Sequence, residues 1–261
     1  MIVINRWYGR LGNNIIQVQN ALFIALFYHH GIIKIPKHTF FNKTIIHLAE
    51  EKKNLNNIEN IFYFRKEIKN IDMCCFEQNH EKVKNILCNL FSIKNIVKDL
   101  GENDIVIHLR SGDVFRKYRP PPGYILPPLS FFISLLEKLP NKEKIIVLAE
   151  DDRNPILGEF QQRYPQLEWK KQSLEEDIAI LLGAKNLIES FGTFTPSLLL
   201  LSKNIKNIYR SSYQLNLQKE FFPNVNFPNV NIEIVDLEEY RNLMYPWKNT
   251  KEQIKIMLEY K

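Results

Sequence analysis

Ile105-Val106-Ile107-His108-Leu109-Arg110-Ser111-Gly112-Asp113 is the stretch that decides the fold. An apolar, largely β-branched run ends abruptly in His108, Arg110 and Asp113, and Gly112 supplies a turn. This is the pattern of a buried strand that delivers polar groups to the carboxyl edge of an α/β sheet, where such folds bind ligands. Arginine suits that place because its planar, permanently charged fork matches a phosphate or carboxylate bidentately. Taken alone, the same residues also describe a strand end capped by a structural Arg–Asp pair.

Working outward, three more polar clusters follow apolar runs: Gly9–Asn14, Glu150–Asp152 and Ser190–Thr195. Strands are expected at 2–6, 32–35, 104–109, 144–149, 167–169, 186–190, 205–209 and 232–235. Helices are expected at 15–28, 80–100, 130–139, 155–164, from Ser173 to Leu182, from Pro196 to about Ser202, and at the C-terminus. Ser173-Leu174-Glu175-Glu176 is a capping-box pattern. Residues 36–79 read as irregular, and Arg116–Pro128, with five of the 13 prolines, reads as a stiff functional loop. Strands alternating with helices predict an α/β protein with a mostly parallel, doubly wound sheet. The expectation is a pair of Rossmann-like βα arrays, residues 1–100 and 101–261, facing across a cleft, with ligand at the carboxyl ends of both sheets.

Composition narrows the function classes. The 261 residues are 45% hydrophobic, enough for a large core. The net charge of +6 comes from 35 basic and 29 acidic residues spread along the chain. A diffuse positive balance favours anionic ligands and leaves peripheral attachment to an anionic membrane surface open. No basic stripe, zinc-finger spacing or stacking motif argues for nucleic acid. Cys74, Cys75 and Cys88 form no CxxC pair, which fits a reducing compartment and buried thiols better than a disulfide framework. Met1-Ile2-Val3-Ile4 starts directly as a strand without a basic leader, and no apolar run reaches about 18 residues, so a cytoplasmic protein is expected. His29-His30 reads as a cation site at a helix end rather than a metal pair, and His38, His47 and His80 show no ligand spacing.

The ordered motifs resemble a known family. Gly9-Arg10-Leu11-Gly12-Asn13-Asn14 with Gln17 resembles the amino-terminal G-G-L-G-N-x-x-x-Q signature of α-1,2-fucosyltransferases, with Arg10 in place of the second glycine. His108–Asp113 resembles their H-x-R-x-G-D motif, shared with α-1,6- and protein O-fucosyltransferases. Val147–Asp152 is similar to their F-S-D-D strand end, and Asp177–Leu200 to their N-S-T-F-S-W-W block, with Pro196-Ser197 where the tryptophans stand. The resemblance runs over residues 4–210 in the family's order. It implies a GT-B fold and an inverting, metal-independent transfer of fucose from GDP-fucose to a glycan hydroxyl, in an α-1,2-type linkage. It implies no cofactor beyond the donor substrate.

Such a reaction sets requirements that the residues can be matched against. The leaving diphosphate needs positive charge and donors, for which Arg110 is the first choice. The amides of Gly192 to Thr195, with the hydroxyls of Ser190, Thr193 and Thr195, would cradle phosphate at a helix start. Asp151 or Asp152 would accept from the guanine edge, oriented with help from His108. Asp113 would act as base or fix Arg110. Gly9, Arg10, Gly12 and Asn13 would approach the donor, while Asn14, Gln17, Tyr118 and Tyr124 would meet the acceptor, with Trp7, Tyr8 and Arg119 as further contacts. Glu175-Glu176-Asp177 reads as an acidic helix start, and Phe191 and Phe194 as plugs flanking a small-residue turn. Alternatives are another donor such as GDP-mannose, a metal-dependent transferase in which Glu150-Asp151-Asp152 plays the D-x-D clamp, or an inactive glycan- or nucleotide-binding module.

Overall fold

The run from Ile105 is the central strand, β5 (Ile105–His108), of a sheet of six parallel strands. In the computed structural model, residues 1–48, 56–63, 68, 70–118, 120–140, 142–214, 216 and 229–261 are described. The chain divides into two units. The first holds Met1–Lys94 with Pro196–Leu201, and the second the described residues of Asn95–Thr195, Ser202–Leu217 and Pro228–Lys261.

The first unit follows the order β1 (Ile2–Val3), α1 (Leu11–Tyr28), β2 (Ile32–Lys34), β3 (Ile45–His47), β4 (Ile58–Glu59) and α2 (Met73–Leu90). Its sheet runs β3-β2-β1-β4. β1 is parallel to β2 and β4, and β3 is antiparallel to β2. α1 is apolar around most of its circumference and is buried from Leu11 to Ala25 except at Asn13, so it is a core helix. α1 packs against α2, with Phe23 and Phe76 meeting edge to face at 4.6 Å.

Four expectations in this unit are corrected. Residues 36–79, read as irregular, hold β3, β4 and the start of α2. α1 starts at Leu11 rather than Ile15, which puts Gly12, Asn13 and Asn14 inside the helix. α2 occupies Met73–Leu90 rather than 80–100. Asp72 sets its start by accepting from the Cys75 amide at 2.7 Å. The chain leaves the helix at Phe91 because the Ser92 amide is taken by the Phe40 carbonyl at 3.0 Å. The three cysteines form no disulfide, but the expectation that they are buried is corrected: Cys74 is exposed, and Cys75 and Cys88 are half-buried, because α2 turns them toward its outer side.

From β5 the chain continues through α3 (Leu129–Lys138), β6 (Ile145–Leu148), α4 (Pro155–Arg163), β7 (Leu167–Glu168), α5 (Leu174–Gly183), β8 (Asn186–Glu189), α6 (Phe194–Leu199, most of it counted with the first unit), β9 (Asn207–Ser211), β10 (Asn231–Val235), α7 (Glu238–Met244) and α8 (Lys251–Glu259). The strand order is β10-β9-β8-β5-β6-β7. From β5 the chain builds outward to β6 and β7, then crosses back to β8 and builds the other way. This is the doubly wound, Rossmann-like order, and its topological switch point lies between β5 and β8. The Ser173–Glu176 capping box is present: the Ser173 amide donates to the Glu176 carboxylate at 2.8 Å, and the Glu176 amide to the Ser173 hydroxyl at 3.3 Å.

Alternation along the strands separates the sheet's faces. Ile105, Ile107, Ile145, Val147, Ile188 and Tyr209 face a core completed by α3, α4, α7 and α8. Trp247 belongs to this core at 1% exposure. Its indole N–H donates to the Val114 carbonyl at 2.7 Å, and its backbone amide to the Pro122 carbonyl at 2.9 Å. Asn249 adds a bond to the Arg116 carbonyl at 3.2 Å. The C-terminal segment thus straps down the start of the proline-rich loop, a tie with no local sequence signal. Among the described residues, no helix is long and apolar enough to cross a membrane.

Candidate functional site

Arg110 emerges just beyond β5, beside the switch point. Its guanidinium is paired with Asp113 and lies 3.9 Å from Glu150. The side chain is 15% exposed, and the Tyr124 ring centre stands 5.6 Å from the guanidinium carbon. The backbone behind it is fixed by Asn154. That buried amide donates to the Arg110 carbonyl at 2.9 Å and accepts from Ile156 at 3.0 Å, capping α4. Gly112 follows with φ of 75°, and the Glu150 carboxylate packs where a β-carbon would stand. Asp113 and Glu150 therefore flank the cation, Asp113 half-buried and Glu150 exposed.

Asp151 is committed elsewhere. Its carboxylate accepts from the Ser111 hydroxyl, and from the Gly112 and Arg153 amides at 3.2 Å each. Burial pushes its pKa upward, but these donors, with the Arg153 charge, outweigh burial and hold it below the usual aspartate value. Its work is to brace the Ser111–Gly112 turn, which leaves exposed Asp152 as the carboxylate open to a ligand at the end of β6.

The turn after β8 is held from β9. The Ser190 amide donates to the His108 carbonyl at 3.1 Å. Gln214, fully buried, clamps the Gly192 peptide from both sides: the Gly192 amide donates to its side-chain oxygen at 3.0 Å, and its side-chain nitrogen donates to the Gly192 carbonyl at 2.9 Å. The expectation that the Gly192 amide cradles phosphate is corrected accordingly, because that donor is already used. Thr195 and Ser190 are both buried, so neither hydroxyl faces solvent. Half-buried Thr193 is the member of the turn placed nearer the surface. Gln214→Leu would leave a buried amide and carbonyl unsatisfied. The expected cost is about 2–6 kcal/mol, taking about 1–3 for each group. Urea unfolding, with Gln214→Glu as the shape-matched control, checks it.

Beneath the turn lies a polar row across three neighbouring strands. His108 pairs in register with Glu189, and Ile188 with Tyr209, which brings Glu189 beside Arg210. Arg210 Nη2 lies 2.8 Å from Glu189 Oε2, and both side chains are fully buried. Burial pushes the Glu189 carboxyl up, against the downward pull of Arg210 and Thr195. His108 is 8% exposed and stacks at a tilt against Phe194, ring centres 5.6 Å apart. Burial, and secondarily Arg110, drive its pKa down from 6.5 to about 3. The imidazole is therefore neutral and interior, placed to support the strand end rather than to exchange protons with a ligand.

Because His108 charges only in the unfolded chain between these two values, unfolding takes up a proton there. Its contribution to stability is full above pH 6.5 and falls away as the pH drops toward about 3. His108→Gln should show a shallower loss of urea midpoint over this window than the wild type. Equal slopes would place the acid sensitivity elsewhere, for instance at His38 or His80, whose pKa values burial also lowers.

The amino-terminal loop corrects two more assignments. Asn14 and Gln17, expected at the acceptor, are buried. Asn14 donates to the Tyr8 carbonyl at 3.0 Å. Gln17 accepts from the Tyr8 amide at 2.9 Å and donates to the carbonyls of Arg6 and Ile61 at 3.2 and 2.9 Å. These amides satisfy loop backbone that would otherwise be buried unpaired, which is a structural task. Gly9 takes φ of 72°, with the Asn13 side chain folded against it; Arg10, exposed, stands at the N-cap of α1, and Gly12 is buried within the helix. Tyr8 stacks on Phe62 at 4.0 Å. In the second unit, Tyr124 is half-buried between Arg110 and Phe191, and Tyr118 is 77% exposed. Arg119 lies outside the described residues. The pair His29-His30 separates: His29 is the left-handed C-cap of α1, while His30 is buried with its ring 3.0 Å from the Met1 amine.

Among the described residues, no group of three or more His, Cys, Asp or Glu side chains is placed to hold a metal ion. Compared with known proteins, the chain matches no family model and no curated protein sequence.

Proposed function

We propose that this chain is a nucleotide-sugar glycosyltransferase of GT-B type. Its donor would be GDP-fucose, its acceptor a glycan hydroxyl, and the transfer inverting and independent of a metal. The observation that carries the reading is the position of Arg110. It is a braced, mostly buried guanidinium at the carboxyl end of the central strand, beside the switch point where open α/β sheets take their ligands. The ordered motif resemblance supports it.

In this mechanism Arg110 exchanges its carboxylate partner for diphosphate oxygens and takes up the charge that develops on the leaving group. Asp113 holds the fork in register before the donor arrives, and Thr193 supplies a hydroxyl at the turn. Asp152 accepts from the guanine edge. Glu150, exposed and 3.9 Å from Arg110, would take the acceptor proton.

Nucleotide titration tests the reading. GDP is expected to raise the unfolding temperature, with a stabilisation of about 2.7 kcal/mol at 100 times its dissociation constant. Radiolabelled fucose should then pass to a galactoside in the presence of chelator. Absence of stabilisation by GDP, UDP and ADP alike would remove the proposal. Binding of GDP without transfer to any acceptor would leave a nucleotide-binding module.

A further inference from the structure

We infer that the first unit carries a binding site for an anionic saccharide at the carboxyl edge of its own sheet, built from residues that take no part in the donor reading. β1 and β2 are parallel, so the segments leaving Val3 and Lys34 emerge on the same edge. The indole N–H of Trp7, on the first segment, donates to the Lys37 carbonyl on the second at 3.0 Å. The second loop is closed at its base by the Ile35 amide on the Thr44 carbonyl at 2.9 Å. Trp7 braces it further, its ring centre 5.1 Å from that of His38 and 5.4 Å from that of Phe41.

The braced loop surrounds an open groove of about 690 Å³. That volume falls within the range of about 300–1,000 Å³ usual for small-molecule sites. Lys37 and Lys43, both exposed, line it, and among the described residues no carboxylate does. Thr39 and Asn42 offer short hydroxyl and amide groups, while Phe41 and the 46%-exposed Ile45 supply apolar surface. Burial keeps His38 below the usual histidine range, so the lysines provide the positive charge at neutral pH.

This lining selects a ligand class. The aromatic rings are packed on one another rather than standing open, which disfavours a stacked base. Small donors and acceptors suit sugar hydroxyls, the apolar strip suits the C–H face of a sugar ring, and paired ammonium groups suit a carboxylate on that sugar. The site would select acidic glycans, whether or not the chain transfers a sugar to them.

The full chain should be titrated with sialyllactose, lactose and inorganic phosphate by calorimetry, with GDP measured in parallel. Sialyllactose is expected to saturate, with lactose and phosphate each about tenfold weaker or more. Lys37→Glu with Lys43→Glu should weaken sialyllactose about tenfold while leaving the melting temperature and GDP binding unchanged. Failure of sialyllactose to saturate below about 10 mM would overturn the site. So would lactose or phosphate binding equally well, or a double variant that binds like the wild type. Since GDP is read separately, this site and the donor reading fail independently.

Discussion

Arg110→Lys is expected to lose nearly all transfer from GDP-fucose, by about 10²–10³ in rate, although the positive charge is kept. The loss follows from geometry. A guanidinium presents a flat fork of N–H donors that can hold Asp113 and then two diphosphate oxygens in the same plane, whereas an ammonium is a point charge on a flexible stem. The surroundings are built for the fork: Tyr124 covers the guanidinium at 5.6 Å, and Asn154 fixes the backbone carbonyl at 2.9 Å. Lysine has no planar face to lay on that ring. The assay is steady-state transfer to a galactoside, with GDP affinity measured alongside. The rate should fall further than the affinity, because the interaction strengthens as charge develops on the leaving group. Rates within a few-fold of wild type would remove Arg110 from the chemistry.

Arg210→Met is expected to destabilise the second unit by about 3–5 kcal/mol, since it strands the Glu189 carboxylate in the interior without its partner. Both side chains are fully buried and 2.8 Å apart, so no solvent can take over the missing charge. The double variant Arg210→Met with Glu189→Leu should recover most of the loss, because an apolar pair of similar size avoids the desolvation of both ions. Urea midpoints of the single and double variants form the test. If the double variant is as unstable as Arg210→Met, the pair does more than neutralise itself, with the turn that follows Glu189 as the first place to look.

Much of this architecture was legible in the sequence. β5, β6 and β8 are short apolar runs bounded by polar residues, and the helices between them carry local start signals, such as the Ser173 capping box and Asn154-Pro155. Where local signals compete, the reading slipped. The Gly-rich segment before Ile15 looks like loop, yet the helix begins at Leu11 because the Asn14 and Gln17 amides are consumed by neighbouring backbone. Gln214 and Arg210 were not singled out, since their partners lie 22 and 21 residues away and no local period announces such contacts. A trace existed: Glu189 and Arg210 each close an otherwise mostly apolar strand run, and a charge in that position has to find its opposite. The neutral state of His108 was equally out of reach, because it depends on how deep the strand end lies.

The hold of Trp247 on Val114 and Pro122 joins positions separated by about half the chain. During synthesis the ribosome releases Arg110 and Asp113 long before Trp247, so the strand end emerges while its proline-rich neighbour is still untethered. The arrangement around Arg110 would be complete only after residue 247 has left the exit tunnel, which separates folding of the parallel sheet in time from the tethering of the loop beside it.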